Sequence, residues 1–146
     1  MRPDRLTAAD YAAIMASLPR FWGARDMRHL HHPIFVHELG DTALAARTHD
    51  GGVAAYLLGF VAPTGVGYVH LVGVADTHRR RGLGRALYES FSTLARDRGA
   101  TGLKAVTSPA NGGSIAFHRA LGLSAAVVRD YAGPGEDRVV LRGPLL

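Results

Sequence analysis

The chain has 146 residues and a formal net charge of +5, from 17 Lys and Arg against 12 Asp and Glu. It has no cysteine, which excludes disulfides, cysteine-ligated metals and an acyl-cysteine intermediate. The length predicts one domain, residues 1–146. The longest apolar run, Val53–Ala62, is too short to cross a bilayer, and no signal segment follows the N-terminus. We therefore expect a cytoplasmic protein without a membrane partner.

The positive charge comes almost entirely from arginine, since Lys104 is the only lysine. A nucleic-acid-binding domain needs a longer basic stripe interleaved with aromatic residues, so we expect no nucleic-acid partner and keep such a domain only as an alternative. The histidines at 29, 31 and 32 lack a matched set of carboxylates, and no metal site is predicted.

The N-terminal part of the chain predicts two helices. Thr7 can cap a helix that starts near Ala8, and Pro19 ends it. Residues 24–38 are predicted as a second helix, with Pro33 inside the run.

Three strands follow. Residues 42–48 and 53–61 are predicted to pair across a tight turn at 49–52. Residues 68–75 form the third strand, whose side chains are apolar at successive positions. This pattern is typical of a central strand that is covered on both faces.

The remaining chain alternates between helix and strand. A helix from Gly82 has an apolar stripe at helical spacing and closes near Gly99. Residues 103–107 predict a strand and 114–121 a helix, and two late strands near 124–131 and 137–142 flank a Gly-Pro-Gly turn. Together these elements predict an α+β fold.

The stretch from Arg79 to Arg85 is the most informative part of the sequence. It places a glycine-rich turn between a strand and a helix. Unpaired main-chain N–H groups, the positive end of the helix dipole and four arginines all contribute positive charge at this turn. Such a turn suits a polyanion such as a pyrophosphate. The spacing differs from the Walker loop and from the dinucleotide fingerprint.

The pattern Arg-x-x-Gly-x-Gly resembles the acetyl-CoA loop of the GCN5-related N-acetyltransferase (GNAT) family. A second block, Asn111–Leu123, is similar to a later motif of that family, and the resemblance covers roughly residues 40–146. It implies a mixed, strongly twisted central sheet of about six to seven strands with helices on both faces.

The resemblance also implies acetyl-CoA as cosubstrate. The main chain of the third strand would hold the pantetheine arm, the loop would hold the pyrophosphate, and the start of the last helix would contact the arm. The implied cofactor-binding residues are Leu71, Val72, Val74, Arg79, Arg80, Arg81, Gly82, Leu83, Gly84, Arg85, Asn111, Ser114 and His118.

The catalytic residues are predicted from the alternation of side chains along the third strand and from the family resemblance. Period-2 alternation places His70 on one strand face with Tyr68, Val72 and Val74, and His70 matches a histidine position of arylalkylamine-acetylating relatives. His118 stands where the family usually has a tyrosine. We predict His70 as general base and either His118 or Tyr131 as general acid. The alternative is a structural role for His70 and Tyr131, and contact with the cofactor alone for His118.

The acceptor side is predicted from charged and aromatic residues near both ends of the chain. The candidate substrate-binding residues are Trp22, Arg28, Glu38 and Tyr68. Acidic groups would receive a cationic amine, whereas arginines such as Arg25 would receive a carboxylate, and the sequence leaves both open.

The resulting hypothesis is an acetyl-CoA-dependent N-acetyltransferase that acts on the primary amine of a small molecule, by direct attack in a ternary complex. One alternative keeps the fold but changes the acceptor to a protein N-terminus or lysine. Another is a non-catalytic acyl-CoA-binding module. A homodimer is compatible with the family and with the apolar late strands.

Overall fold

The computed structural model describes all 146 residues, and a seven-stranded mixed sheet forms its centre. The strands are β1 Asp4–Arg5, β2 Leu44–Arg47, β3 Val53–Val61, β4 Val66–Val74, β5 Gly102–Thr107, β6 Ser124–Val128 and β7 Arg138–Gly143. They lie in the order β1-β2-β3-β4-β5-β7-β6, and β4 and β5 are the one parallel pair. The predicted α+β mixed sheet is confirmed.

Five helices cover the two faces of the sheet. They are α1 Ala8–Ala16, α2 Pro19–Trp22, α3 Ile34–His37, α4 Leu83–Asp97 and α5 Gly112–Ala120. The first three contribute to one apolar core, and α4 and α5 pack against the other. A parallel strand pair needs a crossover connection, which α4 supplies between β4 and β5.

The predicted N-terminal cap is present, but the predicted second helix is wrong. Thr7 accepts the Asp10 N–H, and Asp10 accepts the Thr7 N–H, which makes a capping box for α1. Within residues 24–38 the chain forms a 3₁₀ turn, Arg28–Leu30, and then the short α3. Pro33 has no amide hydrogen and disfavours helical dihedrals at the residue before it, so one continuous helix cannot form. Pro19 begins α2, because proline suits a first helical turn.

A β-bulge interrupts β4 beside β3. Leu58 pairs with Leu71, but the next residue, Gly59, pairs with Val69, so His70 is an extra residue on β4. Such an insertion shifts the alternation of side chains on the bulged strand.

The bulge changes which side chains share a face. Tyr68 and His70 contact aromatic residues on the face of the N-terminal helices, since His70 stacks on Phe35 with ring centroids 4.9 Å apart. Val72 and Val74 pack against the core under α4. The prediction that His70 shares its face with both valines is therefore wrong, because strict alternation fails across an inserted residue.

The strands β4 and β5 separate toward their carboxyl ends. Their pairing stops at Val69 and Ala105, while β4 continues to Val74 and β5 continues to Thr107 along β7. The last part of β4 therefore has no neighbour on its β5 side, and the sheet opens there.

The strand β6 ends earlier than predicted, and the turn between β6 and β7 is correspondingly longer. β6 ends at Val128, so Tyr131 lies in the connection to β7 and outside any strand. Asp130 has a positive φ of 55°, and its N–H donates to an Asp137 carboxylate oxygen. This local bonding favours a turn over further strand pairing.

Candidate functional site

A cleft of about 1010 Å³ opens where β4 and β5 separate. Its volume lies at the upper end of the range for small-molecule sites, so it has room for a long cosubstrate and a second substrate. The cleft reaches from the α2 region to the N-terminal ends of α4 and α5. The predicted site residues that line it are Trp22, Tyr68, His70, Leu71, Val72, Val74, Arg79, Gly84, Asn111, Ser114 and His118.

A second groove of about 370 Å³ continues from the cleft along the glycine-rich loop. It shares Val74, Arg79 and Gly84 with the cleft. The further predicted residues on its walls are Arg80, Gly82, Leu83 and Arg85. Arg81 is exposed and lines neither cavity.

The loop itself presents unpaired main-chain donors. The N–H groups of residues 80–85 donate to no other group of the protein, and the first helical bond is from Ala86 N–H to Gly82 O at 3.0 Å. Arg80 and Gly82 have positive φ angles of 61° and 74°. A left-handed conformation is unusual for arginine and easy for glycine. A run of free N–H groups at a helix N-terminus suits a phosphate group.

Arg79 connects the loop to the N-terminal helices. Its Nη2 donates to the Phe21 carbonyl at 2.9 Å, and its Nε lies 3.4 Å from the Val74 carbonyl. The side chain therefore holds α2 against the end of β4. Gly84 brings α4 close to α5, because a Cβ there would lie 3.0 Å from the ring of Phe117.

The start of α5 contributes Asn111 to the cleft. The side-chain oxygen of Asn111 accepts the Ser114 N–H at 3.1 Å and so caps the helix. Its side-chain NH₂ group has no partner in the protein and remains a donor on the cleft wall.

His118 is buried and both its ring nitrogens have partners. Nδ1 lies 2.7 Å from the Ser114 carbonyl, which can only accept, so Nδ1 carries the proton. Nε2 lies 2.6 Å from the Tyr88 hydroxyl and therefore accepts from it. Burial lowers the pKa of His118 and raises that of Tyr88, which keeps both groups neutral.

His70 has one ring nitrogen in use and one free. Nε2 lies 2.7 Å from the Leu30 carbonyl and so carries the proton. Nδ1 then has an available lone pair. Stacking on Phe35 and the bond to Leu30 hold the ring in one orientation on the cleft wall.

A buried hydrogen-bonded chain supports the Trp22 wall. Trp22 Nε1 donates to the Tyr56 hydroxyl at 2.8 Å, and that hydroxyl lies 2.6 Å from His31 Nε2. His31 Nδ1 bonds to the Met27 carbonyl at 2.7 Å, so each polar atom of the chain has a partner. Burial lowers the pKa of His31 and raises that of Tyr56.

Three of the predicted catalytic and substrate-binding residues lie outside the cleft lining. Arg28 points to the Met15 carbonyl at 3.4 Å, and Glu38 is exposed at the end of α3. Tyr131 is 43% exposed, and its ring lies under the Lys104 ammonium at 5.4 Å.

Tyr88 and Arg138 are among the cleft-lining residues that sequence reasoning missed. Tyr88 lies four residues after Gly84 on α4, so helical spacing from the glycine-rich turn was a usable signal. Arg138 had no comparable signal, since its strand is placed beside the cleft by pairing with β5, which is distant in sequence.

The structure contains neither a cluster of metal-ligating side chains nor a helix that could cross a membrane. No group of three or more His, Cys, Asp or Glu side chains lies close enough together to hold a metal ion. None of the helices combines the length and the apolar character that a bilayer crossing requires.

Comparisons with known proteins agree with this geometry. The family model described as "Acetyltransferase (GNAT) family" matches residues 11–123. The comparison with curated proteins gives no significant match.

Solved structures with the same fold cover almost the whole chain. A protein of the GNAT family from Desulfovibrio desulfuricans has a TM-score of 0.79 at 21% identity, over 99% of this chain and 98% of that one. Chaetomium thermophilum Naa20, in complex with a bisubstrate analogue, has a TM-score of 0.77 at 22% identity, over 99% and 87%. The ribosomal-protein-S18-alanine N-acetyltransferase of Escherichia coli has a TM-score of 0.73 at 23% identity, over 98% and 92%.

Proposed function

The chain belongs to the GNAT family of acetyltransferases, and we propose that it transfers an acetyl group from acetyl-CoA to the primary amine of a small molecule. The observation that carries the proposal is the run of free N–H groups at residues 80–85, which lies beside a cleft through the sheet. A donor run of this kind matches a pyrophosphate, and the cleft leads from it to a histidine with a free lone pair.

The residues present fit coenzyme A. The loop N–H groups, with Arg80 and Arg85 beside them, would hold the pyrophosphate. The unpaired edge of β4 beyond Val69 and the free side-chain NH₂ of Asn111 would bond to the amide groups of the pantetheine arm. Acetyl-CoA supplies an activated thioester when it is bound.

His70 would act on the acceptor amine. A free alkylamine has a pKa of about 10.4, so at neutral pH it is mostly protonated and lacks the lone pair needed for attack. His70 Nδ1 is free to take a proton from the amine nitrogen, directly or through water. The nitrogen then forms the bond to the acetyl carbon and gives up its second proton to water, the carbon–sulfur bond breaks, and the electron pair leaves with the sulfur.

The departing sulfur needs a proton, and the buried pair of His118 and Tyr88 lines the cleft. Neutral His118 has no free N–H, because its one N–H bonds to the Ser114 carbonyl. The Tyr88 side chain lines the cleft and is fully buried, and burial raises its pKa, so its hydroxyl keeps its proton and donates it to His118 Nε2. A hydroxyl proton can turn about the C–O bond while the ring stays in place, so we assign proton donation to the Tyr88 hydroxyl, which would exchange its bond to His118 for one to the sulfur.

A small acceptor is supported by the residues that cover this side of the cleft. Trp22, Met27 and Leu30 line the cleft with bulky side chains. The buried Tyr56–His31 chain bonds to Trp22 and Met27, and His70 bonds to the Leu30 carbonyl. A protein N-terminus is the second candidate acceptor, favoured by the likeness to Naa20 and to the S18-alanine enzyme.

Thiol release from acetyl-CoA tests both candidates. We expect release with a panel of small primary amines, with a product heavier by one acetyl group in mass spectrometry. Release with N-terminal peptides alone would move the assignment to the second candidate. If the protein binds coenzyme A in calorimetry but no amine or peptide gives release above background, the proposed transfer is wrong and the chain is a binding module.

A further inference from the structure

The charged side chains that line the cleft all have the same sign. They are Arg25, Arg79 and Arg138, and no aspartate or glutamate lines the cleft. The acidic residues that the sequence offered for binding a cationic acceptor do not line the cleft. Asp130 and Asp137 bond to main-chain N–H groups of their own turn, and Glu38 is exposed on α3.

Arg138 lies on the acceptor side of the sheet. Its neighbour on β7, Val139, belongs to the core under α4, so Arg138 projects from the opposite face. That face also carries Tyr68 and His70. Arg138 donates to the Asp137 carbonyl at 2.8 Å and forms no ion pair.

Arg25 lies on another wall of the same cleft. It follows α2, its guanidinium lies 5.9 Å from the centre of the Trp22 ring, and it too forms no ion pair. Arg79 differs from both, since its side chain bonds to the Phe21 and Val74 carbonyls and also lines the groove along the glycine-rich loop. Two uncompensated guanidinium groups therefore face the acceptor side.

We infer that the acceptor amine carries an oxyanion, a carboxylate or a phosphate, which Arg25 and Arg138 bind while His70 faces the amine. The inference rests on the proposed acetyl transfer. Guanidinium groups bind such oxyanions through paired, charge-assisted hydrogen bonds. A polycationic acceptor is disfavoured, because a cleft lined by guanidinium groups and no carboxylate repels it.

Matched acceptor pairs test the inference. One set compares amino acids with their neutral amides, and a second compares aminoalkyl phosphates with the corresponding amino alcohols. We expect kcat/KM to be at least about tenfold higher for the anionic member of one set, which corresponds to about 1.4 kcal/mol. The set that shows the preference distinguishes carboxylate from phosphate.

Variants of the two arginines test whether their side chains cause the preference for anionic acceptors. Arg138→Gln and Arg25→Gln should each lower the anionic-to-neutral ratio about tenfold and leave coenzyme A affinity unchanged. Arg142→Gln is the control for Arg138, since Arg142 shares its strand and face but is exposed outside the cleft. Arg20→Gln is the control for Arg25, because Arg20 lies on the neighbouring α2 and is exposed outside the cleft lining.

The possible outcomes distinguish a failure of this inference from a failure of the proposed acetyl transfer. Equal or better transfer to the neutral members in the wild type overturns the inference and leaves acetyl transfer standing. The inference is also overturned if Arg138→Gln and Arg25→Gln both keep the wild-type anionic-to-neutral ratio of kcat/KM. It is likewise overturned if these variants lose coenzyme A affinity and keep that ratio. Absence of transfer to every acceptor, anionic or neutral, overturns the proposed function itself.

Discussion

The two cleft histidines differ in what their ring nitrogens contact, and this difference separates their roles. His118 has both nitrogens bonded inside the protein, to Ser114 and Tyr88. His70 has Nδ1 free. A general base needs an unprotonated nitrogen within reach of the substrate, so the geometry favours His70 for that role.

We predict that His70→Ala lowers kcat by about 100-fold or more, since general-base catalysis contributes about 10² to 10⁴. Coenzyme A affinity, measured by calorimetry, should be unchanged, because the main chain of β4 remains. His37→Ala is the control, since His37 is exposed on α3 outside the cleft. A His70 variant with wild-type kcat would remove the assignment.

Tyr88 and Tyr131 are competing candidates for the proton donor. We predict that Tyr88→Phe lowers kcat by about 100-fold, because it removes the buried hydroxyl assigned as proton donor. It should also cost about 1 to 3 kcal/mol of stability, since His118 Nε2 loses its partner. Tyr131→Phe should leave kcat unchanged. The reverse pattern in steady-state kinetics would assign the donor to Tyr131.

At the scale of elements, the bulge in β4 and the separation of β4 from β5 create the site. The bulge turns His70 toward the N-terminal helices, while Val72 and Val74 turn to the α4 side. The separation leaves the carboxyl end of β4 without a partner on that side. Bulges often re-aim a side chain beside an active site, and here one strand contributes to both halves of the cleft.

The loop before α4 provides a matched pair of glycines for a test of cofactor binding. Gly82 and Gly99 flank α4, both have positive φ, and neither has a neighbour that an added Cβ would meet within 4 Å. An alanine at either position therefore introduces similar backbone strain. We predict that Gly82→Ala weakens coenzyme A binding about tenfold, because its methyl group or an altered φ disturbs the N–H run.

Calorimetry measures this effect, with Gly99→Ala as the control. The Gly99 variant should show a similar loss of thermal stability and wild-type coenzyme A affinity, since it lies at the far end of the helix. Equal affinity in both variants would mean that the loop does not hold the pyrophosphate.

At the scale of the whole molecule, each face of the sheet encloses one buried histidine paired with a tyrosine. His31 bonds to Tyr56 in the core of the N-terminal helices, and His118 bonds to Tyr88 beside the core under α4. Burial lowers the pKa of both histidines from the ordinary value of 6.5. The unfolded chain therefore binds more protons than the folded protein below that value.

This difference predicts a loss of stability in mild acid. The free energy of unfolding should be constant above about pH 6.5 and should fall as pH decreases toward the lowered pKa values, by at most about 1.4 kcal/mol per pH unit for each histidine. Denaturant unfolding from about pH 8 to about pH 5 measures this slope. His31→Gln should reduce the slope, whereas the same change at exposed His49 should keep it. A wild-type slope in the His31 variant would contradict the argument.

Local patterns in the sequence were sufficient for the α4 stripe, the Thr7 cap, the β2–β3 hairpin and the glycine-rich loop. Each depends on spacing within one element or turn, which determines the backbone dihedrals and the exposed donors directly. The family resemblance, carried by that loop and by the Asn111–Leu123 block, is confirmed by the match over residues 11–123.

The face of His70, the partner of His118 and the charge of the acceptor side required the folded chain. Tyr88 and His118 are 30 residues apart, and Arg25 and Arg138 come from opposite ends of the sequence. Their proximity depends on strand order, on one inserted residue in β4 and on where β4 leaves β5. Sheet register joins distant segments through long-range hydrogen bonds, and local spacing carries no information about that register.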